Sequence, residues 1–110
     1  MNDKEVLAAL YATVENRRDN PKEGSYTCYL LDKGIDKILK KVGEECSETI
    51  IAAKNGVNSE TVYETADLIY HLMVMLVQQG IPLDDVLDEL GRRSEKTGNL
   101  KKFHVVDKNS

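Results

Sequence analysis

Residues 66–77, "ADLIYHLMVMLV", carry apolar side chains at almost every position. A helix that is apolar nearly all round is stable only when neighbours cover most of its circumference. The chain that must supply those neighbours has 110 residues, 41% of them apolar and 31% charged, with one Phe and no Trp. That length suits one domain, since domains run to roughly 100–150 residues, and leaves no room for a second. Helix formers dominate and there are only two prolines, so the expected fold is all-α and four-helix bundle-like. A single copy would have a thin core, which self-association helps to complete. A homodimer is therefore expected, with Leu72, Met75 or Leu76 of the apolar helix buried between the copies.

The rest of the chain divides by periodicity into three more helical segments, without an internal repeat or a low-complexity stretch. The first covers about residues 3–18, with Val6, Leu7, Leu10, Tyr11 and Val14 on one face, and "DNPKEGS" interrupts it. A short apolar piece, "YTCYLL", follows. The second helix spans about residues 35–54, after Gly34, and stops at "KNGVNSE", where Asn55 and Gly56 suit a C-cap and Asn58 or Ser59 an N-cap. The apolar helix then runs to about residue 79. Gly80 ends it, and Pro82 suits the first turn of a fourth helix closing near Ser94. These helices form a domain over residues 1–95, followed by a polar tail over residues 96–110.

The amino-terminal "MNDKEVLAAL" has no basic segment leading into an apolar run, and no window approaches the roughly 18 apolar residues of a membrane span. A soluble, cytoplasmic protein without a membrane partner is expected. Cys28 and Cys46 are too few for a disulfide framework and lack the paired spacing of a zinc site, so both read as reduced thiols and small buried hydrophobes. A net charge of −4 argues against nucleic acid as the main partner, yet leaves local basic groups for a phosphorylated small molecule. Met73 and Met75 read as core or interface packing.

The second helix gathers Glu44, Glu45 and Glu48 within about one turn of "KKVGEECSETI", residues 40–50. Like charges at i,i+3 and i,i+4 repel by a few tenths of a kcal/mol when exposed and by more when desolvated. On a helical wheel Ile35, Ile38, Val42, Cys46, Thr49 and Ala53 share an apolar arc with Glu45 at its edge, and Glu48, Lys41, Lys37 and Glu44 lie progressively farther round. Taken alone, this flank is a solvated face laced with i,i+4 pairs such as Lys41 with Glu45 and Lys40 with Glu44.

The apolar helix alters that balance. Glu64, Asp67 and His71 form a polar stripe along it at i, i+3 and i+7, and two carboxylates leading into a buried helix are costly without a cation. Helices joined by a short turn pack antiparallel, which can set Glu45 and Glu48 opposite Glu64 and Asp67. Hard oxygen donors with no cysteine among them select Mg²⁺ or Mn²⁺, and carboxylates that leave positions to water and phosphate oxygens suit Mg²⁺ best. Lys37, Lys41 and Lys54 are near enough to hold the phosphates of a substrate.

"EECSE", then fifteen residues, then "ETAD" resembles the E-E-x-x-E and E-x-x-D signature of the all-α NTP pyrophosphatase superfamily, which includes the MazG-like and dimeric dUTPase-type enzymes. Within it, "SYTCYLLDKGIDKILKKVGEECSETIIAAKNG", residues 25–56, together with "ETADLIYHLMVML", is similar to the phosphoribosyl-ATP pyrophosphatase family. The resemblance runs from about Tyr11 to Leu100. It implies hydrolysis of phosphoribosyl-ATP to phosphoribosyl-AMP and pyrophosphate, the second step of histidine biosynthesis. It also implies that Glu45, Glu48, Glu64 and Asp67 bind Mg²⁺, with Glu44 an additional ligand or the base for the attacking water. Such an ion neutralises charge on the triphosphate, a carboxylate accepts the water's proton, and lysines stabilise the leaving pyrophosphate.

The tail "RRSEKTGNLKK" resembles the "KTGNLK" ending of the superfamily, which implies that Arg93, Lys96 and Asn99 close over phosphates; the other reading is a flexible basic terminus. His71 is either an outer partner of Asp67 or a satisfied core or interface residue. The basic "DKGIDKILKK" ahead of the carboxylates is the place for groups that meet the substrate's additional ribose phosphate, Lys33 and Lys37 foremost. The nearest alternative is a MazG-like housecleaning nucleoside triphosphate pyrophosphatase, which shares the metal residues and differs around base and ribose. A ferritin-like di-metal oxidase wants two Glu-x-x-His motifs, and the chain has none. A non-catalytic dimerisation bundle would lose no activity when its carboxylates were removed.

Overall fold

The computed structural model describes residues 2–95, and there the chain is all-α. Lys96 and Asn99 lie outside the described residues. A 3₁₀ turn at Asp3–Glu5 leads into α1 (Val6–Asp19), and α2 (Tyr26–Lys33), α3 (Ile35–Asn55), α4 (Asn58–Gln79) and α5 (Leu83–Ser94) follow. The apolar piece "YTCYLL" is thus a helix in its own right, making five helices among the described residues where four were expected. Ser25 explains it: its backbone is extended and its Oγ accepts from the Cys28 N–H at 3.1 Å, an N-cap that starts a helix too short for periodicity to reveal.

Gly56 ends α3 in the left-handed region, at φ +77°, as its residue type allows. Only Val57 then separates it from α4. The expected N-cap at Asn58 or Ser59 is not formed, because so short a connection takes both into the first turn; Val57 caps instead, its carbonyl accepting from Glu60 and Thr61 N–H at 3.1 and 3.2 Å. Gly80 ends α4 as expected, with its own N–H on the Val77 carbonyl and that of Ile81 on the Leu76 carbonyl. Pro82 sits just before α5 as its N-cap rather than inside its first turn.

The two-residue connection makes α3 and α4 an antiparallel pair, and α1 and α2 also pack on α4. The core joins Val14, Leu30, Ile38, Met73, Val74, Leu76, Val77 and Leu83, with Leu72 and Met75 half-buried against it. Tyr11 Oη donates to the Ile81 carbonyl at 2.7 Å, fixing α1 beside the α4–α5 corner. Every residue from Asp67 to Val77 is buried or half-buried.

The chain itself therefore covers Leu76, which was expected at a dimer interface. Its exposed large apolar residues lie elsewhere, including Ile50 and Ile51 on α3, Val62 and Tyr63 on α4, and Val86, Leu87 and Leu90 on α5. The buried seam of α3 is also turned from the expected arc. It runs through Ile38, Glu45 and Ala52, seven residues apart, the repeat that keeps a seam facing an antiparallel neighbour. Cys46 and Ala53 consequently face outward, so Cys46 is not a buried hydrophobe, while Cys28 is half-buried. Among the described residues no helix is long and apolar enough to cross a membrane.

Candidate active site

Glu48 stands eight residues before Gly56 and Glu64 eight after it; Glu45 and Asp67 stand eleven before and eleven after. At about 1.5 Å of rise per residue, an antiparallel pair sets these partners level, roughly 12 and 16 Å from the turn. The i,i+3 spacing within each pair keeps both carboxylates on one helix face. One oxygen from each of Glu45, Glu48, Glu64 and Asp67 accordingly lies within 4.8 Å of all the others. Thr49 ties the helices together at this height, its hydroxyl lying 2.7 Å from the Glu45 carbonyl and 3.2 Å from that of Glu64.

Glu45 is only 3% exposed. Its Oε2 and that of Glu64 are buried with no hydrogen-bond partner among the described residues. An unpaired buried polar atom costs about 1–3 kcal/mol, and more when charged. Burial pushes the Glu45 carboxyl up to about 7, with Asp67 and Glu48 adding to the effect. Burial and then Glu48 also raise Glu64. Two orphaned oxygens in an all-carboxylate donor set fit a hard divalent cation, which would supply the missing partner and charge.

Lys41 compensates part of the negative charge, with Nζ 3.2 Å from Glu44 Oε2 and 3.6 Å from Glu45 Oε1. Its hydrogen bond holds the Glu44 carboxyl below the usual range. The expected Lys41–Glu45 pair is thus formed, whereas Glu44 pairs with Lys41 rather than Lys40. Glu44 is exposed and stands outside the group of four.

His71 is buried, 2% exposed, with both ring nitrogens partnered. Its Nδ1 is 2.8 Å from the Asp67 carbonyl oxygen and 3.4 Å from Asp67 Oδ1. Its Nε2 is 3.0 Å from Tyr26 Oη. Tyr26 is not legible as a site residue from periodicity, since α2 is too short to show helical register; the N-cap serine before it is the signal the sequence offers.

Tyr26 also borders a groove of about 840 Å³ shared with Arg17, Lys22, Ser25 and Tyr29. On the turn side of the carboxylates a smaller hollow, about 380 Å³, is lined by Glu48, Asn55, Glu60 and Glu64.

Of the other expected cations, Lys37 lies one turn before Lys41 and acts electrostatically on Glu44. Lys33 ends α2 with Nζ 5.8 Å from the Tyr29 ring centroid, within cation–π range. Lys54 is exposed in the last turn of α3. Arg93 is engaged with Glu89 at 3.1 Å on α5.

Fold and site together define an all-helical protein whose central antiparallel pair presents an acidic cluster able to hold a metal ion beside a lysine, an arrangement suited to phosphate-anhydride hydrolysis. A family model described as phosphoribosyl-ATP pyrophosphohydrolase matches residues 7–94. A phosphoribosyl-ATP pyrophosphatase of Limosilactobacillus fermentum is 59% identical over 86% of this chain and 90% of its own length. One from Clostridium botulinum is 54% identical over 92% of each chain. A histidine biosynthesis bifunctional protein of Caldanaerobacter subterraneus is 59% identical over 84% of this chain, a match spanning 45% of that longer protein. The chain belongs to the phosphoribosyl-ATP pyrophosphohydrolase family.

Proposed function

We propose that the chain hydrolyses phosphoribosyl-ATP to phosphoribosyl-AMP and pyrophosphate in histidine biosynthesis, using Mg²⁺ held by Glu45, Glu48, Glu64 and Asp67. The observation that carries this reading is the convergence of four carboxylates, two with orphaned buried oxygens, in a member of this family. Bound there, Mg²⁺ would neutralise charge on the triphosphate and lower the pKa of a coordinated water.

The remaining work falls to side chains of this chain. Lys41 stands at the rim of the carboxylates, where its ammonium can pass from Glu44 to a substrate phosphate oxygen. Relieved of that hydrogen bond, Glu44 becomes more basic, and its place outside the group of four leaves it free to accept the water's proton. Lys54, in the last turn of α3, stabilises the leaving pyrophosphate, joined by Arg93, Lys96 and Asn99. Lys33 and Lys37 meet the additional ribose phosphate, and the groove beside Tyr26 gives room for the rest of the substrate.

The protein works in the cytoplasm as a homodimer. Two free cysteines suit a reducing compartment, and the apolar stripe of α5, with Val86, Leu87 and Leu90 between 36% and 47% exposed, supports pairing with a second copy.

Turnover of phosphoribosyl-ATP should exceed that of ATP and dUTP, stop in EDTA and return with Mg²⁺. Preference for dUTP or ATP would instead assign the MazG-like nucleoside triphosphate pyrophosphatase activity, and activity untouched by thorough chelation would end the metal reading.

A further inference from the structure

Tyr26 and His71 form a hydrogen-bonded path from α2 to the Asp67 backbone carbonyl, and it runs directly beside the Asp67 carboxylate. His71 Nδ1 faces two Asp67 oxygens, the carbonyl at 2.8 Å and Oδ1 at 3.4 Å. The carbonyl can only accept, so the ring hydrogen sits on Nδ1. Nε2 is then an acceptor, and the Tyr26 hydroxyl donates to it across 3.0 Å.

The opposite tautomer would turn a lone pair toward those oxygens, losing the bond to the Asp67 carbonyl and repelling the carboxylate. The Tyr26 hydroxyl therefore selects the ring form that turns its N–H, the positive end of the ring dipole, toward the Asp67 carboxylate 3.4 Å away, and it fixes the ring plane as well. The Tyr70 ring reinforces the placement, lying edge-on to His71 at 5.0 Å and stacked with Tyr26 at 6.2 Å. Thr27 is hydrogen-bonded to the Tyr70 hydroxyl, so α2 is anchored to α4 by adjacent residues.

We infer that Tyr26 is a positioning residue: acting through His71, it orients the Asp67 carboxylate for the divalent cation that the four carboxylates hold. The inference rests on the proposed metal reading. Outer partners that orient a ligand typically change metal affinity 10- to 100-fold on removal, and this path, which reaches Asp67 through one intervening ring, belongs at the lower end of that range.

The test uses Mn²⁺ as the probe, titrated into the metal-free full chain and followed by its electron paramagnetic resonance signal. Tyr26→Phe keeps the ring and removes only the donor, so Mn²⁺ should bind about tenfold more weakly while the metal-free unfolding midpoint changes little. His71→Asn retains an N–H near the Nδ1 position and loses Nε2. Because Tyr26 acts through that nitrogen, adding Tyr26→Phe to His71→Asn should weaken Mn²⁺ no further.

Unchanged Mn²⁺ affinity in Tyr26→Phe, or fully additive losses in the double variant, would overturn the role of Tyr26. An unmutated chain that bound no Mn²⁺ would overturn the metal reading and this inference with it.

Discussion

Replacing Glu45 by Gln should stabilise the metal-free protein while abolishing its response to the ion. Glu45 is buried at the centre of the α3 seam, and burial with Asp67 and Glu48 nearby raises its carboxyl from 4.5 to about 7. Between those values the folded chain holds a proton that the unfolded chain releases. Stability of the metal-free protein therefore rises as pH falls from 8 toward 5, and the gain levels off below about 4.5.

Full ionisation of Glu45 at pH 8 corresponds to a cost of about 3 kcal/mol at most, and relaxation of the neighbouring carboxylates reduces the expected gain in Glu45→Gln to about 1–2 kcal/mol. For a domain of this size that is an unfolding midpoint roughly 5–10 °C higher at pH 8 in EDTA. Calorimetry at fixed protomer concentration reads it directly, since association also shifts the midpoint. The variant should show a flatter profile from pH 8 to 5. Adding Mg²⁺ should raise the midpoint of the unmutated protein and leave the variant almost unmoved. A variant less stable than its parent at pH 8 in EDTA, or a parent losing stability from pH 8 to 6, would refute the reasoning.

Glu48→Ala and Asp67→Ala should each abolish Mg²⁺-dependent hydrolysis with helical circular dichroism retained; full activity in either would remove that residue from the site. Lys33→Ala and Lys37→Ala should lower kcat/KM for phosphoribosyl-ATP more than for ATP, each contact contributing about 1–3 kcal/mol, or roughly five- to a hundred-fold. Equal losses on both substrates would move those lysines to a shared triphosphate site. Sedimentation at micromolar concentration should give a dimer, and Leu87→Glu should shift it toward monomer; a stable monomer in the unmutated chain would exclude the proposed assembly.

The helical class is readable in the sequence because the periodic segments are long and glycine marks the ends of the two central helices. The grouping of the carboxylates is readable for a related reason: spacing three within each helix and near-equal distance from one glycine leave an antiparallel pair little other choice. Helix starts are harder to read than helix ends. Eight residues are too few to display a period, so neither α2 nor the Tyr26 contact to His71 is legible in the sequence pattern. Val57, a poor N-capping residue, took that position because the connection was too short for Asn58 to remain outside the helix. Hydrophobicity alone puts Glu45 at the edge of the apolar arc of α3. Packing follows the neighbour's geometry, which put a carboxylate in the seam and turned Cys46 outward.

The carboxylate in that seam bears on function. A chain selected only for packing would fill the seam of α3 at residue 45 with an apolar side chain. Here that position carries a carboxylate, opposed across the helix pair by others, and the local structure leaves two of the oxygens without partners. Net stabilities of small domains are only about 5–15 kcal/mol, so several unfavourable charges in one place consume a substantial fraction. A ligand present at 100 times its Kd adds about 2.7 kcal/mol to the folded state, comparable with the strain of ionising Glu45. The destabilised cluster and the ion would thus be parts of one device: repulsion that weakens the empty fold is the same field that attracts a divalent cation, and filling the site restores much of the stability that building it removed.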